Sequence, residues 1–576
     1  MANLRDSVFQ PLNRPSEIRL LYLDRAELSA PLTGRLVHST LAEAVKFEAL
    51  SYAWGGTDKT QEITLQGGNS LPITQSLYDA LRDLRYDHMR ILRYDTRPPD
   101  SPRVLWADAI CINQEDRDEL AAQVSIMGSI YRKAAQVVTY IGPERDDSST
   151  AIKFAYQLYY HIVRKGDKAI TRYQVPPESD PRWAALRALI LRAWAGRCWC
   201  AQEFILNRRL AMVCGTVTLP IWDLIPKVAQ MGVNRELPVF ALPAKDEDPQ
   251  SLTECLRILG ALRDLMVDSG IKPTLGEMLE RSHPFQATDP RDKVYSLLGL
   301  TGDNDKIALT VDYKCRTEDL YISVASKIVQ SVSDASILYG CLHVKSYVLP
   351  SWVPDWSTWL FGSHGAAMGR GYNACGPTIA EASVHGIEMH VSGCLVDKIV
   401  YLGEPIGQYY GGLDMSLKER KAFVSRERAG LSHLAQTLEG DQSVDEVFWR
   451  TLIGNITLQQ ELATKEYGLL YDAHLAYEGL NSPEETRAAA QEFCDAVRRR
   501  SRYRRLVVTE KGYIGGVPET ARVGDWVNTF DGENILFVVR PQGDNFEYIG
   551  HAYVHGLMNG EIHSNNWYKK GTIILV

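Results

Sequence analysis

Residues 197–204, RCWCAQEF, place two cysteines, a tryptophan and one carboxylate, Glu203, close together in the chain. A glutamate beside an aromatic side chain in a partly dry cleft can stabilise or attack a sugar carbon, as glycosidase carboxylates do. The same residue has structural alternatives. An acid is favoured at the N-terminus of a helix, and Glu203 could also pair with Arg197 or Arg208. The residues alone leave both interpretations open.

Other common forms of site chemistry find little support in the sequence. Cys198 and Cys200 form a C-x-C pair without a second pair at zinc spacing, so we expect no metal site. The metalloprotease, P-loop and nucleophile-elbow patterns are absent. Cys111 lies in an apolar stretch, where cysteine usually behaves as a small buried hydrophobe.

The elements that would position a ligand precede Glu203 in the chain. An apolar strand at 104–110, an amphipathic helix to about residue 134 and a strand at 136–141 form a βαβ unit. Such a unit implies parallel strands, and ligands bind beyond the carboxyl ends of these strands. The residues expected at or just past such ends are Ser51, Trp54, Gly55, Asp108 and Asn113.

Each of these candidates also has a structural interpretation. Asp108 could orient the hydroxyl groups of a ribose, or it could cap a nearby loop, since an acid beside an apolar strand needs a partner. Asn113 could bind an amide or a phosphate, or it could form a turn. Trp54 with its two following glycines could form a wall for base stacking, or it could be a packed core residue. The sequence does not decide between these interpretations.

The composition limits the class of protein. The 576 residues are 45% hydrophobic and 23% charged, which is ordinary for a globular chain of roughly three or four domains. The net charge of -8 argues against a surface for duplex nucleic acid, and we interpret the basic run at 498–505 as a solvated helix end. The N-terminus lacks a signal-peptide pattern, and no apolar stretch is long enough to span a membrane. We therefore expect a cytoplasmic protein.

The pattern of elements changes along the chain. We predict an α/β domain with a parallel sheet at the N-terminus, a helical middle region and a small β-rich C-terminal module, with turn signals typical of a β-barrel. The segment 287–300, ATDPRDKVYSLLGL, is interpreted as architectural, with Asp289 as a helix N-cap before Pro290, and with Arg291, Asp292 and Lys293 pairing with the first domain. The predicted domains are 1–231, 232–345, 346–500 and 501–576.

Several segments, in this order, resemble the HET (heterokaryon incompatibility) family of filamentous fungi. They read FEALSYAWG, LWADAICINQEDRDELAAQVSIMGSIYRKAAQVVTYIG, RCWCAQEFIL and ATDPRDKVYSLLGL, and later segments resemble the region that commonly follows the HET domain. This resemblance implies a role in self/non-self recognition and in programmed cell death after incompatible fusion. It also implies that the sensor for non-self is a separate protein or the C-terminal part of this one.

A more distant resemblance bears on the chemistry. The HET segments are similar to Toll/interleukin-1 receptor (TIR) domains, which have a flavodoxin-like parallel sheet and some of which hydrolyse NAD and self-associate. The W-C-x-x-E pattern of plant-type TIR domains corresponds here to Trp199, Cys200 and Glu203, although more than fifty residues are inserted before it. The resemblance implies that Glu203 is catalytic, that Trp199 contacts the ligand and that NAD is a substrate rather than a cofactor.

Cleavage of NAD at the nicotinamide ribose suits a single carboxylate. The leaving nicotinamide is already cationic at its nitrogen, so it does not need protonation by a general acid. The transition state resembles an oxocarbenium ion, which a carboxylate stabilises or attacks. Two alternatives are a non-enzymatic signalling and assembly module, and an enzyme of the same origin that acts on another small molecule.

Overall fold

The computed structural model describes residues 8–14, 16–85, 101–160, 176–219, 221–233, 237, 252–302, 307–341, 344–358, 371–410, 417–434, 442–478, 481–565 and 567–576. The chain divides into two compact units, Met1–Arg316 and Thr317–Val576. Among the helices within these described ranges, none is both long enough and apolar enough to cross a membrane.

The first unit is built on a mixed nine-stranded sheet. Its strands are β1 (Glu17–Leu23), β2 (Thr33–Thr40), β3 (Glu48–Tyr52), β4 (Gln61–Leu65), β5 (Asn69–Ile73), β6 (Arg103–Trp106), β7 (Gln136–Tyr140), β8 (Leu210–Cys214) and β9 (Val217–Thr218). Their order across the sheet is β5-β4-β2-β1-β6-β3-β7-β8-β9. Strands β6, β3, β7 and β8 are parallel to one another.

The parallel part of this sheet confirms the predicted fold class. Strands β6-β3-β7-β8 are the second, first, third and fourth of this group along the chain, which is the order of flavodoxin-like sheets. All five residues of β3 are buried, as expected for a central strand with both faces covered. The carboxyl ends of β3 and β6 lie side by side, which brings the segments after Tyr52 and Trp106 together.

The helices of the first unit follow the sequence pattern for the most part. They are Gln75–Arg85, Asp108–Cys111, Arg117–Lys133, Ser148–Tyr159, Pro181–Ile190, Ala193–Gly196, Cys200–Ile205, Leu224–Val233, Leu252–Arg263, Asp264–Asp268, Leu275–Arg281 and Asp292–Tyr295. The predicted helix with Leu77, Leu81 and Leu84 at helical spacing is present, and these three side chains are buried. Asp116 caps the helix Arg117–Lys133, because its carboxylate accepts two backbone N–H groups of the first turn.

Two local expectations about the first unit were wrong. The strand expected to reach residue 110 ends at Trp106, and Asp108 instead begins a single helical turn. Pro290 is not at the first helical position, because the helical turn is Asp292–Tyr295 and its N-cap is Arg291. Asp289 still makes the hydrogen bond expected of a capping side chain, since its carboxylate accepts the backbone N–H of Arg291, and it also accepts from the Arg291 guanidinium.

The second unit contains an eight-stranded, mainly antiparallel sheet. Its strands are β10 (Ala382–His385), β11 (Glu388–Pro405), β12 (Arg504–Thr509), β13 (Ile514–Pro518), β14 (Trp526–Phe530), β15 (Leu536–Gln542), β16 (Asn545–Val554) and β17 (Gly571–Leu575). The long strand β11 pairs with both β12 and β14, which closes β11-β12-β13-β16-β15-β14 into a ring. The β-rich module that the turn signals predicted is therefore present, and it includes a strand from well before residue 501.

Several helices of the second unit contact the strands of its sheet. They are Thr317–Val332, Ser336–Gly340, Gly407–Tyr410, Leu417–Leu434, Val444–Leu452, Lys465–Tyr467, Gly468–Ala476, Glu484–Ser501 and Glu561–Ser564. The interpretation of the basic run at 498–505 as fully solvated was wrong, because Arg500 and Arg504 are buried. Arg504 donates to the backbone carbonyls of Gly516 and His551, so at least this charge serves the packing of the ring.

Candidate active site

A cavity of about 540 Å³ lies beyond the carboxyl ends of β3 and β6, within the first unit. Its volume falls in the range of small-molecule sites. The segments that follow β3 and β6 and one face of the helix Arg117–Lys133 form part of its lining. The turn at 193–199, the segment 286–292 and Tyr313 form the rest. The cavity therefore occupies the edge of the sheet where the sequence predicts a ligand.

Asp108 and Trp54 form a fixed corner of this cavity. The Trp54 indole N–H donates to Asp108 Oδ2 at 3.1 Å, and the Tyr52 hydroxyl donates to Oδ1 at 3.2 Å. The backbone N–H of Ala109 also donates to Oδ1, at 2.8 Å. Because three donors hold it, this carboxylate is both oriented and kept at the cavity wall, where it can still accept from a ligand.

Arg197 covers the same corner. Its guanidinium lies 5.5 Å from the centroid of the Trp54 ring and 4.0 Å from the Asp108 carboxylate, and it donates to the carbonyl of Tyr52. A guanidinium over an indole face is a favourable cation–π arrangement. Arg197 lines the cavity, so it supplies a positive charge next to the aromatic wall.

Glu203 lies behind this corner rather than in the cavity wall. The short helix Cys200–Ile205 buries it to 1% exposure, and it is not among the lining residues. Ser51 Oγ donates to Glu203 Oε2 at 2.5 Å, and the Trp194 indole N–H donates to Ser51 Oγ at 2.7 Å. The carboxylate thus sits in a closed network beneath β3.

Burial sets the ionisation of Glu203. Loss of water raises the pKa of this carboxyl from its ordinary value of 4.5 to about 7, while the charge of Arg197 and the hydrogen bond from Ser51 act in the opposite direction. Arg197 and Asp108 both line the cavity and both act electrostatically on Glu203, in opposite directions.

A second perturbed carboxyl, Asp292, does line the cavity. The Trp199 indole N–H donates to Asp292 Oδ2 at 3.1 Å, and the Tyr313 hydroxyl donates to Oδ1 at 2.6 Å. Burial raises the pKa of Asp292 to about 6. From the sequence, Asp292 was expected to have only an architectural role, and the one local signal is that this acid follows Pro290 by two residues.

The predicted site residues divide into two groups. Trp54, Gly55, Asp108 and Trp199 line the cavity, whereas Ser51, Glu203 and Asn113 do not. Asn113 has the geometry of its turn interpretation, because its Oδ1 accepts the N–H of Glu115 at 3.3 Å and its own N–H donates to Glu119. Its neighbour Gln114 lines the cavity instead.

The cysteines near the site have the environment of packed residues. Cys111, Cys198 and Cys200 are buried, and burial raises the pKa of both the Cys111 and the Cys198 thiol to about 12. In the part of the chain that the structure describes, no group of three or more His, Cys, Asp or Glu side chains could hold a metal ion.

Two regions of the chain match known protein families. Residues 47–203 match the model of the family "Heterokaryon incompatibility protein (HET)". This region contains strands β3 to β7 and ends at Glu203. This region of the chain is similar to the HET family. Residues 459–572 match the Het-6 beta-barrel domain, which agrees with the ring of strands in the second unit. The HET match ends well before the segment that contributes Asp292 and Tyr313 to the cavity.

One relative aligns with nearly the whole chain. It is heterokaryon incompatibility protein 6, OR allele, of Neurospora crassa, which is 27% identical over 674 aligned residues covering 96% of this chain and 95% of the relative. No solved structure matches the chain. The similarity of the HET segments to TIR domains therefore stays a prediction.

Proposed function

We propose that this HET-domain protein acts in fungal self/non-self recognition, and that its HET domain binds a nucleotide such as NAD. The first part is supported by the match to the HET family and by the similarity to heterokaryon incompatibility protein 6 of Neurospora crassa. The second part depends on one observation, the cavity beyond β3 and β6 with Trp54, Arg197 and Asp108 at its wall.

These three residues supply what a nucleotide needs. An indole face stacks on a nicotinamide or adenine ring, and a guanidinium pairs with a phosphate. A carboxylate that is held by fixed donors accepts hydrogen bonds from ribose hydroxyls, as acids do in dinucleotide-binding sheets. The volume of about 540 Å³ accommodates a large part of a dinucleotide.

Cleavage of the bound NAD by Glu203 is the second candidate function. The favouring observation is that burial brings the pKa of Glu203 to about 7, which is typical of functional carboxyls. In the reaction the C–N bond breaks, nicotinamide leaves with the bonding electrons, and water adds to the ribose carbon and loses a proton. In the present geometry Glu203 is shielded by Ser51 and Arg197, so cleavage requires these side chains to move.

Binding and cleavage are separated by two measurements on the full chain. NAD affinity is determined by calorimetry, and nicotinamide release is followed by chromatography, for the wild type and for Glu203→Gln. We expect micromolar to millimolar binding in both proteins. Release by the wild type, with a loss of roughly 10²–10⁴-fold in Glu203→Gln, supports the hydrolase. Because self-association is expected to accompany activity, release is measured over a range of protein concentrations.

The remaining outcomes identify the alternatives. Binding without release at every concentration supports a non-enzymatic module in which the ligand regulates assembly with a separate sensor protein or with further copies. Absence of NAD binding contradicts the nucleotide proposal and favours another small molecule for the same cavity. The role in self/non-self recognition does not depend on either result.

A further inference from the structure

The cavity of this HET domain is completed by a segment outside the matched family region. The Gln286 N–H donates to the Gly196 carbonyl at 2.6 Å, and the Cys198 N–H donates to the Gln286 carbonyl at 2.9 Å, so residues 196–198 and 286 are paired. The Lys293 ammonium is buried and donates to the His283 carbonyl at 2.9 Å. The pairing of Gln286 therefore attaches this segment to the turn that carries Arg197, and the Lys293 contact stabilises the segment itself.

A second set of contacts fixes Tyr313 over the same segment. The Arg291 guanidinium pairs with Asp289 at 2.6 Å and donates to the carbonyls of Tyr313 and Cys315 at 2.6 and 2.8 Å. Arg117, at the start of a HET-domain helix, also donates to the Tyr313 carbonyl. The wall of the cavity that contains Asp292 is thus held by its own set of hydrogen bonds.

The Asp292 carboxylate is oriented for a ligand. Trp199 and Tyr313 each donate to a different oxygen, and a carboxylate oxygen accepts up to two hydrogen bonds. One acceptor position therefore remains on each oxygen, and the residue lines the cavity. Two adjacent acceptor positions match two adjacent donors on a ligand.

The charges of the lining determine which donors fit. Asp108, Asp289 and Asp292 line the cavity together with Arg197, and Arg291 neutralises Asp289. A phosphate next to Asp292 would meet a like charge, whereas the uncharged vicinal hydroxyls of a ribose would not. The phosphate-free end of a nucleotide is thus the part that this wall accepts.

We propose that Asp292, held by Trp199 and Tyr313, is a ligand-binding carboxylate that accepts hydrogen bonds from the vicinal hydroxyls of a ribose. This inference rests on the proposed nucleotide function and assigns to the segment after the matched HET region a direct part in binding. Asp292 faces Arg197, Asp289, Tyr313 and the Cys198 thiol. The pKa of Asp289 is lowered and the pKa values of the other three groups are raised, so these neighbours keep their charge state between pH 5 and pH 8. Glu203, with a pKa of about 7, also titrates in this range, but it is common to all the proteins compared.

The test compares NAD affinity between about pH 5 and pH 8 for the wild type, Asp292→Asn and Tyr313→Phe. At pH 7.5 we expect Asp292→Asn to weaken binding about tenfold or more, because hydrogen bonds to a charged acceptor are lost. Near pH 5 the difference should vanish, since Asp292 is protonated there. Tyr313→Phe removes a donor that favours the ionised form, so the pH at which binding weakens should move upward.

The control is Asp24→Asn, which removes the same charge from an exposed position of the same unit, next to the amino end of β6 rather than its carboxyl end, and should leave affinity unchanged. If the wild type does not bind NAD, the nucleotide function and this inference both fail. If the wild type binds and Asp292→Asn follows the same affinity curve at every pH, only this inference fails. Should Asp292→Asn not fold, the shift in Tyr313→Phe decides the question alone.

Discussion

Replacement of Glu203 by glutamine tests the burial of this carboxyl directly, without requiring any enzymatic activity. Glu203 is 1% exposed, and its pKa is raised to about 7. Glutamine has the same shape as a protonated glutamate and its amide oxygen can accept the hydrogen bond from Ser51. The variant therefore differs from the wild type mainly in being unable to ionise.

The expected magnitude follows from the raised pKa. An unfolded chain ionises Glu203 near its ordinary pKa of 4.5, whereas the folded protein keeps the proton until about pH 7. Between these values the unfolded state binds fewer protons, so the stability of the first unit falls as the pH rises. One pH unit corresponds to about 1.4 kcal/mol, so the wild type should lose about 2.5 kcal/mol relative to Glu203→Gln between pH 5 and pH 8.

The assay has to report on the first unit alone, because the chain contains two compact units. Urea unfolding followed by hydrogen exchange and mass spectrometry of peptides from β3 and from the helix Cys200–Ile205 meets this need. The two proteins should have similar free energies of unfolding near pH 5, and Glu203→Gln should be the more stable near pH 8. Other titrating groups are common to both proteins and cancel in the difference.

Parallel stability curves would refute this reasoning. They would mean that Glu203 has an ordinary pKa, and hence that water or the cavity reaches it in solution. That result would at the same time strengthen the case for direct contact between Glu203 and a ligand. A larger loss for the wild type than about 2.5 kcal/mol would indicate that Arg197 stabilises the carboxylate less than its position suggests.

Three further predictions concern other parts of the first unit. Arg103→Leu leaves the buried Glu48 carboxylate without the guanidinium that contacts it at 2.5 Å, and we expect a loss of roughly 3–5 kcal/mol in unfolding free energy by urea titration. Asp116→Ala removes the cap of the helix Arg117–Lys133 and should cost about 1 kcal/mol in the same measurement, and a loss below experimental error would contradict the capping role. Trp54→Ala removes the aromatic wall and should weaken NAD binding about tenfold in calorimetry, whereas unchanged affinity would exclude stacking at this position.

The local sequence pattern predicted the elements of the first unit better than it predicted the site. Helical spacing at Leu77, Leu81 and Leu84 and the compact apolar runs of β3 and β7 identify buried faces, because burial follows the period of each element. The parallel arrangement followed from the length of the βαβ connection. Such patterns show which face of a helix or strand is apolar, and a segment of a few residues is enough to recognise them.

The direction of a single polar side chain is not encoded in this way. Glu203 could be predicted near the end of the sheet, but the short helix Cys200–Ile205 turns its carboxylate towards Ser51 rather than into the cavity. This orientation depends on the packing of Trp194 and Arg197 around it, which local spacing does not specify. The need of Asp108 for nearby donors was easier to predict, because an acid that interrupts an apolar run requires partners, although the strand itself ends before this residue.

Local sequence patterns also did not predict how far along the chain the ligand site extends. The family match ends at Glu203, whereas the compact unit extends to Arg316. The extension is not a separate layer, since residue 286 pairs with the Arg197 turn and Asp292 receives a hydrogen bond from Trp199. A fragment that ends at Glu203 would lack the cavity wall formed by residues 286–292 and Tyr313. It would therefore lack the Asp292 carboxylate and the Tyr313 hydroxyl. Any measurement of ligand binding therefore has to retain the compact unit through Tyr313, rather than only the region that matches the HET family.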